Sequence, residues 1–351
     1  MSLFNSAPRS LCILRLSAIG DVCNTIAAVQ AIQNYWPETK ITWITGRLEA
    51  QLLEAVNGLE IIIFDKKGGW KEYKKLWKTL QGRQFDALLH MQYALRASIV
   101  TLGIKAKYKL GFDAKRSQDF QTLFTNVKVP SPESMHVLDG LMSFAFCLGV
   151  PEQEPTWKLK CTPEQTQWAK AQIKSKALNL VIVPAASKSY KNWTIEGYVA
   201  LIEHAQHSGW NVILSGSPAN IEIELAKSIE ERLTTQVDNL VGKSSLLQML
   251  ALIKESDLII APDTGPTHMA NAVGTPIIGL YAHHNPKRTG PYNALHSVVS
   301  VYEDAIAAEH SDQVEQLDWR TRVKDTKAMQ RIKADNVIAM FDTMASAIEN
   351  S

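Results

Sequence analysis

Several signatures are missing from this chain of 351 residues, and each absence removes a class of function. Its four cysteines, Cys12, Cys23, Cys147 and Cys161, form no CxxC pair. They therefore suggest neither a disulfide scaffold nor a thiolate metal site, and a reducing cytosol is the simplest setting. No apolar run approaches the ~18 residues of a membrane span, and Met1 to Ser10 lack the apolar core of a signal peptide. Neither sign of charge dominates: 37 Lys and Arg stand against 35 Asp and Glu, a net +2 that gives no general argument for nucleic acid as a partner. No GxGxxG follows a strand and no GxxxxGK[ST] occurs, which disfavours a nicotinamide oxidoreductase and a P-loop kinase or ATPase. No set of His, Cys and carboxylates has metal-ligand spacing. His283 and His284 are adjacent, so their side chains diverge, and no metal is expected. Short repeats and low-complexity tracts are absent as well.

What remains is a soluble, globular pattern. Hydrophobic residues make up 46 % and charged residues 21 %, enough for a full core, and the length suits two domains. Apolar strand candidates at 12–16, 41–45, 61–64, 87–90 and 109–112 alternate with helical patterns at 22–35, 48–56, 73–80, 95–102 and 137–148. The polar, proline-containing stretch Gly149 to Pro155 reads as a linker. Beyond it the alternation resumes, with strands expected at 180–183, 212–215, 258–261 and 277–280, helices at 195–207, 221–232, 245–254 and 267–273, and a last helix at 335–348. Such alternation predicts βαβ units and parallel sheets, here as two similar α/β halves with a cleft between them.

Two strand–turn–helix units carry the chemistry. Near the N-terminus, Leu11 to Leu16 reads as a buried strand and is followed by Ser17-Ala18-Ile19-Gly20-Asp21. In the second half, Leu258-Ile259-Ile260 leads into Ala261-Pro262-Asp263-Thr264-Gly265-Pro266-Thr267-His268. The first N–H groups of a helix lack internal partners and the macrodipole is positive there, so such a turn binds anions, phosphates above all. Thr264 and Thr267 can cap or donate, and Gly265 admits a ligand close to the backbone. Asp21 fits two roles, a helix N-cap and a carboxylate base within reach of a hydroxyl. Glu222, early in the helix after Ser215-Gly216-Ser217-Pro218, is where a ribose-binding acid falls in a Rossmann-like half, with Glu224 as its competitor.

These residues resemble a known family. Leu16 to Val22, Ala261 to His268 and Pro276-Ile277-Ile278-Gly279-Leu280-Tyr281 together look like the heptosyltransferases of lipopolysaccharide core synthesis, glycosyltransferase family 9. The likeness implies an α/β GT-B fold, with two Rossmann-like domains facing across a cleft. It also implies inverting transfer of heptose from ADP-heptose, a co-substrate, to a lipid A–core acceptor, with no cofactor. The implied domains are 1–155 for the acceptor, 156–330 for the nucleotide sugar, and 331–351 as a final helix packing back on the first domain.

By the same resemblance, Asp21 matches the catalytic base, and Ser17 and Gly20 shape its turn on the acceptor side. Lys191, in Val183 to Trp193, matches the lysine that neutralises the departing ADP, and Ser187 matches a hydroxyl donor to the same phosphates. Ala186 stands where relatives often carry a second hydroxyl. Asp263, Thr264, Gly265 and His268 match the second phosphate and sugar motif; Asp263 either holds the loop or contacts heptose. Arg116, with Arg96, Lys105, Lys107, Lys109 and Lys115, gives the first half a basic character suited to a phosphorylated acceptor. The basic stretch from Asp318 onward is a candidate for peripheral contact with the cytoplasmic face of the inner membrane. Rival readings are a family member using another sugar nucleotide or acceptor, and a GT-B protein that binds without transferring.

Overall fold

A computed structural model describes residues 2–310 and 317–350. The chain divides into two units, Met1–Lys160 and Cys161–Ser351. The first contains β1 (Ser10–Leu14), β2 (Lys40–Thr45), β3 (Leu59–Ile63), β4 (Phe85–His90), β5 (Ala106–Gly111) and β6 (Val127–Lys128), all parallel, in the order β3-β2-β1-β4-β5-β6. β1 and β4 are apolar along nearly their whole length and buried on both faces, as strands of a helix-covered parallel sheet must be. The first fourteen residues of helix Ile19–Tyr35 are buried on nearly every side, Asn24, Thr25 and Gln30 among them, so it lies deep in the unit.

The second unit repeats the plan with β7 (Asn179–Ile182), β8 (Asn211–Leu214), β9 (Asp238–Asn239), β10 (Leu258–Pro262), β11 (Ile277–Tyr281) and β12 (Val298–Ser300), in the order β12-β11-β10-β7-β8-β9. Numbered from its own first strand, each sheet has the Rossmann order 3-2-1-4-5-6. The order reverses between β1 and β4 in one unit and between β7 and β10 in the other. Loops at the carboxyl ends of those strands form the ligand crevice of such a sheet.

Two expectations from the sequence need correction. Residues 156–160 belong to the first unit: Trp157 Nε1 donates to Cys23 O at 2.8 Å, Gln30 and Lys158 exchange two hydrogen bonds, and Lys160 N donates to Ala55 O. The final helix, Ala334–Glu349, was expected to pack on the first domain. Its apolar face instead completes the core of the second: Val337, Phe341 and Ala345 lie in one buried cluster with Leu201, Ala205 and Trp210. The short strands β6, β9 and β12 were not foreseen, because two or three residues carry no periodicity.

Candidate functional site

In the second unit, the loop after β7 and the loop after β10 meet at the switch point. Asn192 Oδ1 accepts from Ala186 N at 2.8 Å, folding the first loop back so that a 3₁₀ turn, Ser189–Lys191, presents Lys191. Its ammonium reaches Asp263 Oδ2 at 2.7 Å and Asp263 O at 3.3 Å. Asp263 precedes Thr264, the N-cap of helix Gly265–Val273, whose side chain makes no capping bond. Thr267 Oγ1 donates to Pro262 O at 2.7 Å, tying the first turn to the strand. Pro266 has no N–H, so the orphan donors of the first helical positions belong to Gly265 and Thr267. This is the geometry of an anion site, with a lysine beside it.

The sequence reading missed His284 as a partner of this site. His284 Nδ1 donates to Asp263 Oδ2 at 2.6 Å. The two adjacent histidines do diverge: His283 turns inward, 2.7 Å from Tyr190 O and 3.2 Å from Val323 O. The missing signal was strand order. β11 lies beside β10, which brings the loop after Tyr281 next to Asp263. Burial alone pushes the Asp263 carboxyl up. The His284 hydrogen bond and the charge of Lys191 outweigh it and hold Asp263 well below the usual carboxylate range. A fixed carboxylate therefore aims two nitrogen donors, and two of the three N–H groups of Lys191 are directed at Asp263.

The remaining expected donor-side residues divide. Ser187 is exposed on the loop before Lys191, and His268 is buried one turn into its helix. Glu222 is only 7 % exposed, and its oxygens accept from Ser217 N at 2.7 Å and Ser217 Oγ at 2.5 Å. It thereby closes the loop after β8.

In the first unit, Asp21 lies in the first turn of helix Ile19–Tyr35, and its Oδ2 accepts from Ala18 N at 3.2 Å. The N-cap is Ala18, not Asp21 as one reading of the sequence had it; Asp21 is the third helical residue and reaches back to the N-cap N–H, and its side chain keeps 41 % of its surface exposed. Sequence reasoning also missed Arg15. The expected strand enclosed it, but β1 stops at Leu14, and a charged residue within an apolar run was the available sign. Arg15 is buried; one guanidinium nitrogen donates to Met91 O and another lies 2.5 Å from Asp21 Oδ2. Leu16 N donates to Gln92 Oε1, and Gln121 Nε2 donates to His90 O and Gln92 O, so the loops after β1 and β4 are bonded together. Ser17 is part-buried and Gly20 buried in this turn. Arg116 is 5 % exposed, and its guanidinium is held by Asp113, Ser131 Oγ and Ser134 O. Its visible task is to fix the 113–134 loop.

Two Rossmann-ordered parallel sheets, with a lysine-flanked helix N-terminus at the switch point of the second, give the chain the architecture of the GT-B-like glycosyltransferases. Comparison with known proteins makes the class specific: residues 73–317 match the sequence profile of glycosyltransferase family 9 (heptosyltransferase), and the chain belongs to that family. It is 48 % identical over 341 residues to the lipopolysaccharide core heptosyltransferase OpsX of Haemophilus influenzae, covering 97 % of this chain and 98 % of that protein. Among solved structures it resembles a family 9 glycosyltransferase from Veillonella parvula, with a TM-score of 0.80, 19 % identity and coverage of 100 % and 99 % of the two chains. The Escherichia coli heptosyltransferase WaaC with ADP matches at a TM-score of 0.75 and 21 % identity, over 95 % and 99 %. At these identities the two structures speak for the fold.

Proposed function

We propose that this protein is a heptosyltransferase of lipopolysaccharide core synthesis that takes heptose from ADP-heptose in one inverting displacement. The observation that carries the donor half is the Lys191–Asp263–His284 cluster beside the open N-terminus of helix Gly265–Val273. Its relatives support the sugar and the acceptor: OpsX is a heptosyltransferase of the lipopolysaccharide core, and the WaaC structure is one with ADP.

In this reading the diphosphate lies against the N–H groups of Gly265 and its turn, with Thr264 beside them. Lys191 carries its charge to the departing ADP, which gains negative charge as the sugar leaves. Asp263 keeps Lys191 aimed between turnovers, and His268 and Ser187 offer further polar contacts. Glu222 acts through the loop it closes. On the first unit, Asp21 takes the proton of the acceptor hydroxyl as that oxygen attacks the sugar carbon. Arg15 fixes the direction of the Asp21 carboxylate, Ser17 and Gly20 shape the turn, and Arg116 serves the acceptor through the loop it holds. Helix-terminal and lysine charge take the part that a metal plays in other transferases.

Calorimetric titration with ADP tests the donor site. Lys191→Ala should weaken ADP binding about 10–100-fold, the loss of one charged hydrogen bond. Lys188→Ala, three residues away on the exposed part of the loop, should bind like the wild type. Equal ADP affinity for wild type, Lys191→Ala and Asp263→Ala would remove the site. Turnover with a UDP-sugar in preference to ADP-heptose would redirect the donor assignment.

A further inference from the structure

Helix Gly69–Thr79 has two faces with different partners. Tyr73 and Leu76 are buried in a cluster with Phe64, Leu80, Phe85 and Leu88. The Tyr73 ring meets Phe64 at 4.9 Å, and its hydroxyl donates to Arg96 O at 3.3 Å. Trp77 Nε1 donates to Val100 O at 3.1 Å. The helix is thereby held firmly to its unit.

The other face is a stripe of cations around one aromatic ring. Trp70 (63 % exposed), Lys71, Lys74, Lys75 and Lys78 are all exposed. At about 100° per residue they occupy one arc of roughly 140°. Glu72, the one acid of the helix, is part-buried and lies 3.7 Å from Lys75. Among the described residues no carboxylate pairs with Lys71, Lys74 or Lys78. Past the C-terminal end of the helix, Leu102 (64 % exposed) and Lys105 line a shallow hollow with Trp77, Leu80 and Gln81. A chain of net charge +2 has thus concentrated unpaired cations on one helix.

The basic C-terminal stretch, the sequence-based candidate for membrane contact, is different. Arg320 pairs with Asp318 at 2.9 Å, Arg331 with Asp325 at 3.3 Å, and the Trp319 ring lies beside Arg288 and Arg320. Two of its six cations are thus paired, and Arg322, Lys324, Lys327 and Lys333 are spread along the stretch, not gathered on one helix face around an exposed ring.

We propose that the exposed face of helix Gly69–Thr79 docks on a membrane surface of anionic lipids. The chemistry is complementary. Lysine ammonium groups meet headgroup phosphates while their stems lie along the interface, and an indole ring among them is placed at headgroup depth. This deepens the proposed function, since a lipid-linked acceptor is met at a membrane, but charge and geometry carry it without the acceptor.

The test is co-sedimentation with phosphatidylcholine vesicles, with and without phosphatidylglycerol, and with no acceptor present. The wild type should bind the anionic vesicles, not the neutral ones, and release as salt shortens the screening length. Combining Lys71→Gln, Lys74→Gln and Lys78→Gln should lower partitioning about a hundredfold, from the usual contribution of a lysine at an anionic surface. The same three positions changed to Arg should keep it, and Trp70→Ala should lower it. The far-UV circular dichroism spectrum and the thermal unfolding curve should be the same in all of these, which reports folding of the unit that carries the helix. Failure of the wild type to bind, or unchanged binding by the triple Gln variant, overturns the proposal. Retention on heparin without vesicle binding also overturns it and gives the stripe to a soluble polyanion. Turnover of a soluble, delipidated acceptor is read in parallel. If the wild type shows none, the functional reading fails while the vesicle result stands on its own.

Discussion

His90 ends β4 with no exposed surface, its Nε2 3.0 Å from Ser98 Oγ. Burial, aided by the charges of Arg15 and Lys109, lowers its pKa to about 3. The folded chain therefore keeps this ring neutral, while the unfolded chain protonates it near 6.5. Below that value the unfolded state binds a proton that the folded state refuses, so stability falls as pH drops from about 6.5 toward 3. Between pH 7 and pH 5 the loss should be about 2 kcal/mol. Urea unfolding at the two pH values checks it: His90→Gln, which can still face Ser98, should lose that part of the pH dependence. An equal loss in variant and wild type would contradict the assignment. At this scale the sequence was half legible. Asp263, Lys191 and the Thr264–Gly265 turn announced themselves by residue type after a strand. Arg15 and His284 did not, because their importance comes from which strands are neighbours. Glu222 and Arg116 were found as polar residues near the right loops, but only the structure reveals that their polar atoms face their own loops.

Elements were legible where their periodicity was long. The central strands β1, β2, β4, β7, β8, β10 and β11 lie within two residues of their expected positions, because a strand buried on both faces reads as an unbroken apolar run. Edge strands of two or three residues had no such sign. The final helix was correctly read as a helix, but amphipathic spacing does not say which core it serves. Its Phe341 is fully buried, with ring centroids 5.3 Å from Trp210 and 5.9 Å from His204. Phe341→Ala should cost about 3–5 kcal/mol and lower the thermal midpoint of the second unit. ADP at saturating concentration should recover part of that loss, since a ligand that binds only the folded unit stabilises it. A midpoint unchanged from the wild type would mean that the helix is not part of this core.

For the whole molecule, the repeated strand order is the main organising fact. Each unit offers the carboxyl ends of its two middle strands: one presents a part-exposed carboxylate held by a buried arginine, the other a phosphate-ready helix start with a lysine. Residue alternation made both sheets predictable, and the paired motifs made the family recognisable in the sequence itself. The extent of the first unit was less legible, because the 156–160 segment is held by hydrogen bonds exchanged with Gln30 and donated to the carbonyls of Cys23 and Ala55, which linear composition does not reveal. The central claim joins the two units in one reaction, with Asp21 as its base. Asp21→Asn keeps an acceptor for Ala18 N but leaves Arg15 without its carboxylate, so a modest stability loss, on the order of 1 kcal/mol, accompanies the change. The most direct measurement is kcat for heptose transfer from ADP-heptose to a truncated core acceptor, wild type against Asp21→Asn, with the circular dichroism spectrum and the thermal unfolding curve confirming that the variant is folded. The account predicts a fall of about 10²–10⁴-fold in kcat at unchanged ADP affinity. An unchanged kcat in a folded variant would contradict it and leave Asp21 as a first-turn carboxylate that holds the N-cap N–H and pairs with Arg15.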